Sequence, residues 1–125
     1  MMYDTDILIW VQRGNEKAAA LIENADDRSI SLLTYMELMQ CAANRRQHKV
    51  IKDFLRDFNF YTLPITESIG HRASIYIEEY SLSSGLRAGD AIIASTAVEH
   101  GRRLVTGDSR HFKAIRELQL KIFKP

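Results

Sequence analysis

The sequence predicts an α/β domain in which a parallel sheet is flanked by helices. Two observations lead to this reading. Short β-like runs alternate along the chain with stretches of helical periodicity, the pattern of strands joined by helical crossovers. Acidic residues then fall just after these runs, or in the first turn of the helix that follows. In open parallel sheets, functional groups collect beyond the carboxyl ends of the strands, near the point where strand order reverses. The acids stand where that rule asks for them.

Taken in order, "MMY" is a brief first strand, and Asp6 is placed to cap a helix that begins at Ile7. Ala18, Leu21, Ile22 and Ala25 share one helical face. "SISLL" (Ser29–Leu33) reads as the second strand, followed by a stripe of Tyr35, Leu38, Met39 and Ala42. Val50, Ile51, Phe54, Leu55 and Phe58 form the next stripe, and "YTLP" the third strand. Ile69, Ala73, Tyr76 and Tyr80 lie along a further helix. The segment from Ala88 to His100 is apolar almost all round, which predicts a helix buried on most sides. "RRLVT" and "LKIF" complete the set as fourth and fifth strands. Trp10 and the aromatics Phe54, Phe58 and Tyr76 fall on these stripes, so core or dimer contact is favoured over base stacking.

The chain has 125 residues, 46% hydrophobic and 26% charged, which is enough apolar material for one sizeable core. No linker, repeat or low-complexity tract divides it, so residues 1–125 read as a single domain. No apolar run approaches the roughly 20 residues that span a bilayer. The start lacks a basic-then-apolar signal, so a cytoplasmic location is expected. Cys41 is the only cysteine, which excludes an intrachain disulfide and CxxC motifs; a small buried hydrophobe is its expected role. With a net charge of +1, any binding of a polyanion must rest on local clusters.

Four acids carry the chemical argument. Asp4 follows the first strand, Glu37 opens the helix after the second, Asp90 opens the buried helix and Asp108 follows the fourth strand. Three have local explanations. Thr34 and Glu37 match a capping box, Asp90 suits the positive end of a helix dipole, and Asp108 suits a turn between Gly107 and Ser109. Asp4 resists, because a central strand end is a costly place for a charge. Convergence of all four raises a problem of repulsion. Each pair of like charges about 4 Å apart costs on the order of 4 kcal/mol at an effective dielectric of 20. Either protons or a cation must relieve it. An oxygen-only donor set favours Mg²⁺ or Mn²⁺ over zinc, and such an ion with open positions is suited to phosphodiester hydrolysis.

"DTDILI", "SLLTYMEL", "LRAGDAIIA" and "LVTGDSRHF", in this order, resemble the four signature segments of the PIN-domain family, in particular its compact VapC-type toxins. The resemblance implies a three-layer α/β/α fold with a central, mainly parallel sheet of about five short strands. It implies a metal-dependent endoribonuclease that works as a homodimer, paired with a VapB-type antitoxin whose tail blocks the acidic groove. Asp4, Glu37, Asp90 and Asp108 match the family's acidic quartet, and Thr106 matches the Ser/Thr that supports it. Asp6 falls where relatives carry Asn, Asp or Ser. Only Met1, Met2 and Tyr3 precede Asp4, fewer than in the fuller first strand of relatives, which leaves two readings: a sequence that starts late, or a short central strand.

On this reading Asp4, Asp90 and Asp108 coordinate one or two Mg²⁺ or Mn²⁺ ions, and Glu37 completes the set or orients the attacking water. The acidic pocket repels RNA, so basic residues must hold the backbone beside it. Arg45, Arg46, His48 and Lys49 form one candidate cluster, and Arg110, His111 and Lys113 another. His71 and His100 lack acidic neighbours at ligand spacing and are expected on the surface or in packing. Two other readings use the same acids: a nuclease with a housekeeping RNA or DNA substrate and no antitoxin, or a metal-binding interaction module without turnover.

Overall fold

The computed structural model describes residues 1–125. The chain runs β1 (Met2–Tyr3), α1 (Thr5–Gln12), α2 (Glu16–Glu23), β2 (Ser29–Ser31), α3 (Leu32–Cys41), α4 (Arg45–Asp57) and β3 (Tyr61–Leu63). It continues through α5 (Glu67–Ser84), α6 (Ala88–Glu99), β4 (Leu104–Thr106), α7 (Ser109–Phe112) and β5 (Leu120–Ile122). All four strand pairings are parallel, in the order β3-β2-β1-β4-β5. The chain therefore builds outward from β1 on one side, then crosses back through α5 and α6 to start the other side at β4. The reversal lies between β1 and β4, where a crevice opens beyond the strand ends.

Alternation along the strands separates two apolar layers. Met2 and Leu104 pack with Ala73, Tyr76, Ala91, Ala94 and Ala97 of α5 and α6. Tyr3, Ile30 and Val105 pack with residues of α1 to α4, among them Ile7, Ala18, Leu38 and Leu55. The expected three-layer α/β/α arrangement is thus observed. No helix is long and apolar enough to cross a membrane.

The first strand is as short as its sequence implies, and its neighbour anchors it. Met2 N–H donates to the Arg103 carbonyl at 2.8 Å, and Asp4 N–H to the Val105 carbonyl at 2.9 Å. Helix α6 is buried along most of its circumference, with Ala91, Ala94 and Ala97 fully covered. Small side chains there let α5 and the sheet approach closely. Phe54, Phe58, Phe60 and Tyr3 form a run of tilted ring contacts beneath α4.

Several local expectations are corrected. The second strand ends at Ser31, two residues early, because the Ser31 hydroxyl accepts from Leu33 N–H at 3.1 Å and starts α3 there. That displaces the Thr34–Glu37 capping box: Thr34 is buried inside the helix. Asp6 does not cap α1; Asp4 does, accepting from Thr5 N–H. Cys41 is exposed at the end of α3. Val50, assigned to the buried stripe of α4, is 62% exposed, while Ile51 and Leu55 carry that face. The one-turn helix α7 was too short to leave a periodic signal.

A pair of truncations tests the layer assignment. Leu104→Ala, at a fully buried position, should cost about 2–5 kcal/mol in urea unfolding. Leu82→Ala, on the exposed side of α5, should change stability by no more than about 0.5 kcal/mol.

Candidate functional site

The crevice at the β1/β4 reversal is a cleft of about 430 Å³ lined by Asp4, Thr5, Asp6, Ile9, Glu37, Arg87, Gly89, Asp90, Ile93 and Asp108. All four expected acids are there, with Asp6 as a fifth. Each is held by a different part of the fold. Asp4 is delivered by the end of β1 and Glu37 by α3. Asp90 sits in the first turn of α6, and Asp108 caps α7.

Asp4 is the buried member, at 9% exposure. One carboxylate oxygen accepts from Thr5 N–H at 2.8 Å, the other from the Thr106 hydroxyl at 2.7 Å. The Thr106 oxygen also accepts from Asp108 N–H at 3.0 Å. One fully buried hydroxyl therefore ties the ends of β1 and β4 together. Asp6 lies beside them, with Oδ2 accepting from Gly107 N–H at 2.9 Å and Oδ1 buried without a partner. A Cβ at Gly107 would stand 2.7 Å from that Oδ2, so the close approach requires glycine.

Glu37 is fixed by a residue that sequence reasoning missed. Thr5 Oγ1 donates to Glu37 Oε1 at 2.6 Å and lies 3.0 Å from the Thr34 hydroxyl. Its signal was the "DTD" stretch itself, read only for its acids. Asp90 Oδ2 accepts from Arg87 N–H at 3.2 Å, so Asp90 stabilises its helix start as well as facing the cleft. Asp108 caps α7 and accepts from His111 Nδ1 at 2.6 Å.

The residues of the two candidate basic clusters are not among those that line the cleft. Arg45, Arg46 and Arg110 are exposed, and none lines the cleft. Lys49 pairs with Asp53, and His48 Nε2 meets the Met39 carbonyl at 2.7 Å. The one basic side chain among the lining residues is Arg87, which makes no ion pair. His71 and His100 are exposed, as expected.

Charge crowding shows in the acids. Burial raises the Asp4 carboxyl to about 7, with the negative charges of Asp6 and Asp90 adding to it, although the bonds from Thr106 and Thr5 pull the other way. Burial raises Asp6 as well, opposed by the Gly107 amide and reinforced by Asp108. The cleft is short of positive charge. Yet no three of its acids stand close enough to chelate one ion together. The array suits a hydrated hard cation, which keeps several waters and takes only one or two carboxylates directly. The oxygen-only lining and the unpartnered Asp6 Oδ1 agree with that.

Asp4 makes stability depend on pH. Its folded value, about 7, lies above the ordinary 3.8, so between these the native state holds a proton that the unfolded chain has released. The stabilisation is complete below the lower value and lost as pH rises through the upper one. In chelator, wild type should lose stability relative to Asp4→Asn across that window, by up to on the order of 4 kcal/mol, measured by urea unfolding. Thr106→Val should cost about 1–3 kcal/mol above neutral pH, where it strips a bond from a buried carboxylate. Thr106→Ser should retain most of that stability in the same assay.

The PIN domain family model matches residues 1–118. A toxin–antitoxin complex from Klebsiella pneumoniae contains a chain 30% identical, with a TM-score of 0.80 over 94% of this chain and 93% of that one. VapBC from Salmonella typhimurium, in a DNA-bound structure, shares 21% identity and a TM-score of 0.82 over 97% and 96% of the two chains. VapBC2 from Rickettsia felis, bound to a promoter DNA fragment, shares 19% identity and a TM-score of 0.79 over 98% of each. The last two likenesses speak to the fold alone. No curated protein matches the chain in sequence. A family match over nearly the whole chain, together with an acid-lined cleft at the strand reversal, leads to one conclusion: this chain belongs to the PIN domain family.

Proposed function

We propose that the protein is a VapC-type toxin, a divalent-metal-dependent endoribonuclease that hydrolyses RNA phosphodiester bonds. A VapB-type antitoxin restrains it, and it acts as a homodimer in the cytoplasm. The observation that carries the catalytic part is the acidic cleft, in which Asp4, Asp6, Glu37, Asp90 and Asp108 line one space with Arg87 as the one basic side chain among them. The 30% identical chain of the Klebsiella pneumoniae toxin–antitoxin complex supports the pairing with an antitoxin.

Asp4, Asp90 and Asp108 are the residues that would hold Mg²⁺ or Mn²⁺, no more than two of them directly and the rest through its waters, with Asp6 beside them. The chemistry such an ion would supply there is a lowered pKa for a water and stabilised charge at the attacked phosphate. Glu37, held by the Thr5 hydroxyl through one oxygen, has its other oxygen free to orient the water and take its proton. Thr106 keeps Asp4 and the Asp108 backbone in register. Attack by the water oxygen on phosphorus breaks one P–O ester bond, leaving a phosphate monoester and a hydroxyl end. Arg87 lines the cleft, and the exposed Arg45, Arg46 and Arg110 would offer further contacts to the RNA backbone.

The test is cleavage of a labelled RNA pool by purified protein with Mg²⁺, Mn²⁺ or EDTA. Wild type should cut only with metal. Asp90→Asn should lower the rate at least about 100-fold, the equivalent of losing several kcal/mol of metal-derived stabilisation, with an unchanged circular dichroism spectrum. Equal cleavage in EDTA, or by Asp90→Asn, would refute the assignment. Growth arrest on expression of wild type alone, relieved by coexpression of the neighbouring small gene, tests the toxin–antitoxin part.

A further inference from the structure

Asp108 differs from the other acids of the cleft in how it is held. Asp4 is fixed by Thr106, Asp6 by Gly107 and Glu37 by Thr5, each from a distant segment of chain. Asp90 sits in the first turn of a 12-residue helix. Asp108 instead caps a helix of only four residues, and its side chain is 38% exposed. A single turn has little helical stability of its own. Whatever keeps this carboxylate aimed at the cleft has to be braced from outside the turn.

Both hydrogen bonds that reach the Asp108 carboxylate come from His111. The His111 amide donates to Oδ1 at 3.3 Å, and ring Nδ1 lies 2.6 Å from Oδ2. A carboxylate can only accept, so Nδ1 carries the proton of this short bond. The ring is itself backed. Its Cδ2 and Nε2 lie 3.7 Å from the point where a Cβ on Gly85 would stand, so it packs against the left-handed turn (φ +73°) that ends α5. With 29% side-chain exposure, the imidazole is wedged between that turn and the carboxylate.

We propose that His111 is a positioning residue: wedged against Gly85, it orients the Asp108 carboxylate so that the cleft can bind a divalent ion. This moves His111 from the expected phosphate-contacting cluster to a place behind the acids. The inference rests on the metal-dependent reading given above. It follows the general behaviour of groups that hydrogen-bond to a metal-ligating carboxylate, whose loss typically weakens metal affinity about 10–100-fold.

The test is Mn²⁺ binding, read as loss of the free-ion electron paramagnetic resonance signal, with no RNA present. His111→Phe keeps a ring to fill the space at Gly85 but removes the donor. His111→Asn places an amide N–H close to where Nδ1 stood. His111→Phe should bind Mn²⁺ at least about 10-fold more weakly than wild type, and His111→Asn within about 3-fold of it. Should His111→Phe not fold, His111→Leu is read in the same way. Wild-type or tighter affinity in the Phe or Leu protein overturns the proposal, as does an Asn protein as weak as these. If wild type itself takes up no Mn²⁺, the metal-dependent reading falls and this inference with it; uptake by wild type with no effect of the ring overturns the positioning role alone.

Discussion

A carboxylate has to be buried at the end of a two-residue strand, and the Thr106 hydroxyl is what makes this tolerable. Asp4 follows β1 directly, with its backbone bonded to β4 and its side chain almost out of water. Without partners such a group would be expelled or kept protonated. The fold supplies one donor from the start of α1 and one from the end of β4. Because the Thr106 oxygen also accepts from the Asp108 amide, the same atom sets the distance between the two acid-bearing strand ends. Both sides of the cleft are in this way referred to one buried hydroxyl.

Topology explains why the acids meet here. In a parallel sheet every strand ends on the same side, and the reversal between β1 and β4 leaves a gap that no crossover helix covers. Asp4, Asp6 and Asp108 flank that gap, and the second turn of α3 and the first turn of α6 bring Glu37 and Asp90 to its rim. The local roles of these residues and their shared role are not rivals. Asp4 and Asp108 cap helices, and Asp90 bonds its helix start, while all three face the cleft. An acid at a helix start is stabilised by the amide dipoles there, which offsets part of the cost of gathering like charges. Burial raises the Asp4 and Asp6 carboxyls, and repulsion from neighbouring acids adds to it. A site kept this far from neutrality is poised for a cation, and its PIN-family membership gives that poise a chemical context.

The positive charge of the molecule is arranged to stay out of the cleft's interior. Arg28 donates to backbone carbonyls at Ile22, Glu23 and Phe58, and Arg72 bridges Glu99 and Glu117 on the far side of α5. Tyr76 completes that second network through Glu117, which together with its burial pushes its hydroxyl up to about 12. These cations are consumed in holding α5, α6 and the loops to the sheet. Arg87, at the cleft mouth, stays without an ion-pair partner.

Local chemistry determined the order of strands and helices, the buried character of α6 and the identity of the four acids, because apolar period and strand-end position can be read within a few residues. Element boundaries moved where one side chain chose between neighbouring amides, as when Ser31 ended β2 and Asp4, not Asp6, capped α1. Val50 stands at the outer edge of a stripe that met no partner there, and Cys41 ends α3 in the open, which periodicity and residue type alone could not reveal. Folding decided the contacts that assemble the cleft: Asp4 with Thr106, 102 positions away, Asp6 with Gly107, and Thr5 with Glu37. It also turned His111 toward Asp108 and left Arg45, Arg46 and Arg110 outside. The physical reason is that hydrogen bonds between distant segments depend on strand register and on sub-ångström placement of donors, and neither is encoded in the spacing of residues along the chain.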